Sequence, residues 1–120
     1  MLDRLQDRVN SNARLVDKGR FVNVVMMVGV GPDLYRVIIE HGRIASVERG
    51  PFVMPSCTFS LHADAEDWQR FWSPTPPPGS HDLFALLKAR RLRLDGNLHP
   101  FMANLFYFKG VMASVRAREA

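Results

Sequence analysis

The sequence has 120 residues, of which 47% are hydrophobic, 23% charged and 10% aromatic, the make-up of a single globular domain, 1–120, with a core of its own. Its one cysteine, Cys57, can neither close a disulfide nor build a structural zinc site within the chain, and no apolar run reaches the roughly 20 residues of a membrane span. The net charge is +4, carried mostly by arginine; with no basic-then-apolar leader at its start, a cytoplasmic protein is expected, and the mild basic excess fits a solvated surface.

Leu2, Leu5, Val9, Ala13 and Val16 recur at helical spacing with polar residues between them, which predicts an amphipathic helix over 2–16, closed by Lys18-Gly19. Residues 21–30 are crowded with β-branched side chains and predict a buried strand that ends in the turn Gly31-Pro32-Asp33. Two more strands, 34–40 and 43–48, join through His41-Gly42 and complete an antiparallel meander. From Cys57 to His62 the chain alternates: Cys57, Phe59 and Leu61 share one side, Thr58, Ser60 and His62 the other, as in a half-buried fourth strand.

Asp64 and Asp67 stand ahead of Trp68, Phe71 and Trp72, placing acids where a helix dipole favours them and predicting a helix over 64–72. The proline-rich loop 74–80 suits only an exposed connector. Ser80-His81-Asp82 then opens a helix with Leu83, Phe84, Leu86 and Leu87 on its apolar face. Arg91 to Gly96 alternates again as a short fifth strand, and Asn97 caps a last helix carrying Leu98, Phe101, Met102, Leu105, Phe108, Met112 and Val115. Phe106, Tyr107 and Val111 widen that stripe until the helix must meet two apolar surfaces. Strands grouped apart from helices predict an α+β fold, with the fifth strand returning to the sheet from across two helices and the helices packed on one face.

Catalytic patterns are sparse. Gly29-Val30-Gly31 lacks the third glycine of a dinucleotide loop and reads as hairpin chemistry. His62 with Asp64, Glu66 and Asp67 has no second histidine at ligand spacing, so the acids read as helix-start residues and no metal is implied. Cys57 falls with Phe59 and Leu61 and reads as a buried thiol. Neither Ser60 nor Ser80 sits in a nucleophile elbow. The run Lys88-Ala89-Arg90-Arg91-Leu92-Arg93 is followed by aromatics set among Met and Leu on a helix, whereas single-strand nucleic-acid binders display rings on an open sheet, so no nucleic-acid partner is expected. What stands out is the apolar inventory of eight Phe, two Trp and six Met; Met26, Met27, Met102 and Met112 are pliable side chains that suit more than one apolar shape.

The run from Phe59 to Trp68, followed by a helix, a loop and then Leu87 to Asn97 before an apolar helix, resembles the sterol carrier protein-2 (sterol-binding domain) family. That family shows a strand, an Asp-rich helix start with an aromatic residue, and a Gly-Lys-Leu-Lys-Ile-Glu-Gly-Asp-like strand leading into its closing helix. Arg91-Leu92-Arg93-Leu94-Asp95-Gly96-Asn97 looks like that last signature, with arginines for lysines and Asn97 for the acid. The likeness covers about 20–117 as a pattern and 57–105 at the level of motifs. The chain departs from the family at Ala89-Arg90, where glycine is frequent, and in its proline-rich loop.

The resemblance implies a five-stranded, mainly antiparallel sheet covered on one face by helices, with an apolar tunnel between them that binds and carries a lipid: a fatty acid, fatty acyl-CoA, phospholipid, sterol-like molecule or quinone. It implies no catalytic group and no cofactor. On that basis Phe71, Trp72, Phe84 and Leu87 are expected in one wall, and Phe101, Met102, Leu105, Phe108 and Met112 on the closing helix in the other. Val24, Met26 and Val28 share a strand face and are expected in the floor, although Val25 and Met27 leave the inward face open. Arg90, Arg91 and Arg93 are head-group candidates, and brief contact with a membrane surface, a homodimer or a protein partner are the further partners considered. Two other readings stand beside this one. The chain could be an accessory module docking through its apolar helix, as in quinone-synthesis complexes, or a small enzyme built on His62, Asp64 and His81.

Overall fold

A computed structural model describes residues 2–52, 56–76 and 82–116. A 3-10 turn, Leu2–Arg4, leads into α1 (Leu5–Asn10) and α2 (Ala13–Lys18); then come β1 (Asn23–Val30), β2 (Asp33–Glu40), β3 (Arg43–Arg49), β4 (Phe59–Ala63), α3 (Ala65–Phe71), α4 (Leu83–Lys88), β5 (Leu92–Gly96), α5 (His99–Ala103) and α6 (Leu105–Ala113). The five strands form one sheet in the order β3-β2-β1-β4-β5. β1 runs parallel to β4, and the other three pairings are antiparallel.

Register decides what alternation in β1 could not. Met26 pairs with Val37 on one side and Phe59 on the other, and Val28 with Tyr35 and Leu61. Those side chains join Val24, Ile39, Trp68, Phe71, Leu86, Phe101 and Phe108 in a single buried cluster, so Val24, Met26 and Val28 face the helices. On the opposite face Met27 lies between Arg36 and Ser60 and is buried as well. Just beyond β3, the Phe52 ring centroid stands 5.1 Å from the Arg36 guanidinium.

Both ends of the sheet show how exposed strand edges are managed. At β3, the Asn10 side chain donates to Ile44 O at 3.0 Å and accepts from Ile44 N at 2.8 Å, so α1 supplies the hydrogen bonds of a missing neighbour. The five-residue β5 places Arg93 and Asp95, bridged at 2.8 Å, on its outer face.

Several expectations are corrected. The helix predicted over 2–16 breaks at Ser11-Asn12, because Asn12 turns extended and its side chain accepts Leu15 N–H at 3.2 Å; asparagine caps helices better than it continues them. The last helix breaks for a related reason at Asn104, which leaves helical geometry (φ −124°, ψ 37°) and donates its side-chain N–H to Pro100 O at 3.0 Å. Cys57 is exposed and precedes β4, so it is not the buried thiol expected. Only Gly31 belongs to the hairpin turn, with φ +59°; Gly29 lies within β1, where a Cβ would stand 2.3 Å from His62 Nδ1. The proline-rich loop is described as far as residue 76, and Ser80 and His81 lie outside the described residues.

Candidate functional site

The expected floor and walls converge on one interior. Phe71 and Trp72 approach from α3 and its end, Phe101 from α5, Phe108 and Met112 from α6, all buried against Met26 and Val28. Polar tips are satisfied where they enter: Trp68 Nε1 donates to Gly29 O at 2.8 Å and Trp72 Nε1 to Met112 O at 3.0 Å. Tyr107, missed at the sequence level as an anchor, donates its hydroxyl to Gly42 O at 2.7 Å, and burial raises its pKa further above the ordinary value. That bond ties α6 to the hairpin between β2 and β3.

The interior is filled by rings. Phe59 meets Phe101 at a centroid distance of 5.5 Å and Phe108 at 5.1 Å, both edge-on, while Phe101 and Phe108 stack at 5.6 Å. Trp68 and Trp72 stack at 5.0 Å. Phe84, Leu87 and Leu105 are half-buried at the margin, and Lys109 joins α6 to α4 by standing 4.5 Å over the Phe84 ring with its Nζ 3.1 Å from Asp82. Met102 does not belong to the wall: it is 53% exposed and points outward, as does Phe106 at 75%. Met102 follows Phe101 by one residue, roughly 100° around the helix, and so falls off the face that Phe101, Phe108 and Met112 share; adding it to that stripe misplaces it.

The arginines assemble separately. Arg90, Arg91 and Arg93 line one cleft of about 710 Å³ together with His62, Asp67 and Leu87. Asp67, expected only as a helix-start acid, is buried and receives Arg70 at 2.7 Å and Arg91 at 3.0 Å. Sequence already held one sign of this, since Asp67 and Arg70 are spaced to meet on a helix; the link to Arg91 depends on the tertiary fold. Asp64 occupies the N-cap of α3, but its side chain makes no capping hydrogen bond. His62 Nε2 lies 3.0 Å from Ser60 Oγ, and its ring fills the space left by Gly29. Burial first, then Arg93, holds the His62 pKa below its ordinary value, against a smaller pull from Asp95.

Of the three residues considered for a small enzyme, His62 and Asp64 both line this cleft, Asp64 exposed at its rim, and His81 lies outside the described residues. Among the described residues no group of three or more His, Cys, Asp or Glu side chains could hold a metal ion. No helix among them is long and apolar enough to cross a membrane.

No family model and no curated protein sequence matches the chain. Solved structures do. The chain is similar to a crystal structure of sterol carrier protein 2 at 12% identity and a TM-score of 0.78, covering 98% of this chain and 94% of that one. It is similar to a conserved hypothetical protein, possibly sterol carrier protein, from Thermus thermophilus, at 14% identity and a TM-score of 0.65, covering 97% and 86%. A third likeness is to UbiJ-SCP2, a ubiquinone synthesis protein, at 14% identity and a TM-score of 0.56, covering 92% and 85%. The chain has the fold of sterol carrier protein 2, as its motifs from Phe59 to Asn97 implied.

Proposed function

We propose, from the sterol carrier protein 2 fold and the apolar interior between its sheet and helices, that this chain binds and carries an apolar lipid without catalysing a reaction on it. The observation that carries this reading is the closing pair α5–α6. It is apolar inside, through Phe101, Phe108 and Met112, and apolar outside, through Met102 and Phe106. Two large apolar side chains exposed on a closing helix pair suit a surface that meets apolar partners.

Binding needs a dry space and a gate. Phe59, Phe101 and Phe108 occupy the place where an acyl chain or ring system would lie, so loading requires the rings to part. The non-helical Asn104 between α5 and α6 is where the closing pair can pivot, and the Lys109 contacts to Phe84 and Asp82 are the tether that would have to yield. Outward Phe106 and Met102 suit brief contact with a membrane surface during exchange. The ligand classes in view are a fatty acid, fatty acyl-CoA, phospholipid, sterol-like molecule or quinone.

The same outward side chains favour a second reading, an accessory module that docks on a protein, and the likeness to the ubiquinone synthesis protein UbiJ-SCP2 points the same way. One experiment separates the two. A fluorescent fatty acid added to delipidated protein should brighten, be displaced by unlabelled lipid, and bind equally to Met102→Asp, which alters the outer side alone. Absence of any saturable binding would overturn carriage and leave docking.

A further inference from the structure

The arginine cleft lies outside the ring-filled interior, and three observations give it a ligand. First, Arg90 ends α4 in the left-handed region, with φ +61°, its N–H bonded to Leu87 O at 3.0 Å while Arg91 N–H reaches Leu86 O at 2.9 Å. This is the helix-ending position that glycine fills without strain, and a residue with a Cβ holds it at a cost in stability. Arg90 at this position has an exposed side chain that lines the cleft.

Second, the neighbouring guanidiniums are oriented but not used up. Arg91 gives one nitrogen to Asp67 and Arg93 gives its Nε to Asp95, while Arg90 has no side-chain partner among the described residues. A guanidinium has five N–H donors, so each arginine retains donors that can face an oxyanion. Asp64 is the remaining acid on the rim and is exposed. Third, the same cleft is lined by Leu87 and Leu92, both packed on the apolar core, so its floor is continuous with the interior wall.

We infer that this cleft binds the anionic head group, a phosphate, sulfate or carboxylate, of an amphiphile whose apolar part enters between α4 and the sheet. The inference rests on the carriage reading for the tail but not for the anion, and the test separates them. Wild type, Arg90→Gly and Arg90→Asn are titrated with dodecyl phosphate, with dodecanol and with inorganic phosphate, following the fluorescence of Trp68 and Trp72. Both variants remove the charge, and both residues tolerate a left-handed backbone.

Dodecyl phosphate should bind about tenfold tighter than dodecanol, and both variants should lose most of that difference while binding dodecanol as before. Equal affinity for the two amphiphiles, or an advantage for the phosphate that survives both substitutions, overturns the head-group site. Inorganic phosphate binding that both variants lose, with neither amphiphile bound, keeps the anion site but overturns its amphiphile and the carriage reading together. No binding of any of the three overturns the site as well.

Discussion

Half-buried Asn10 and exposed Arg90 are residues whose backbone consequences outweigh their polarity. Replacing Asn10 by alanine removes both hydrogen bonds to Ile44 and leaves the β3 edge partly unsatisfied; the expected loss is about 1–3 kcal/mol, read as a lower denaturation midpoint at unchanged slope. Arg90→Gly should do the opposite and raise stability by about 1 kcal/mol, because only glycine meets φ +61° without a Cβ penalty. His62 gives a pH signature. Its pKa is lowered in the fold, by burial first, so the unfolded chain takes up this proton more readily. Its contribution is present above about pH 6.5 and is lost as the pH falls from there through the lowered folded value. The stability advantage of wild type over His62→Gln should shrink on acidification from neutrality, and an advantage independent of pH would contradict that assignment. Single residues of this kind are only partly legible in the sequence. Asp67 looks like a dipole residue, and nothing local reveals that Arg91, 24 positions later, meets its carboxylate.

Elements are legible where periodicity is strong and obscure where an asparagine competes with the helix. All five strands and their turns follow from β-branched runs and glycine-bearing turns, down to Asp95-Gly96 at the end of β5. Asn12 and Asn104 each split a predicted helix by bonding its own side chain to the backbone, a local choice that an apolar repeat spaced across it does not register. Close helix contacts are likewise silent in sequence: a Cβ on Gly19 would lie 2.3 Å from the Tyr107 ring, a ring fixed by its bond to Gly42 O. Gly19→Ala should therefore force α2 and α6 apart and cost about 1–3 kcal/mol, measured by chemical denaturation, with a loss of near-ultraviolet ellipticity as the aromatic packing loosens.

At the scale of the whole molecule, the α+β class, the strand meander and the cover of helices on one face follow from the order of elements, and the resemblance carried by residues 59–97 supplies the topology. The parallel pairing of β1 with β4 is beyond reach of local pattern, since it depends on a crossover of the chain after β3. The tunnel is a different matter. In its place Phe59, Phe101 and Phe108 pack against one another, so carriage requires a second, opened arrangement whose cost the ligand's buried apolar surface offsets, at about 25 cal/mol per Å² removed from water. That requirement can be met head-on by native mass spectrometry of the purified protein, followed by organic extraction and identification of whatever is released. A stoichiometric lipid adduct that disappears on delipidation and returns on reloading is the predicted result. A mass equal to the bare chain, with no thermal stabilisation by any member of a panel of fatty acids, phospholipids, sterols and quinones, would contradict it.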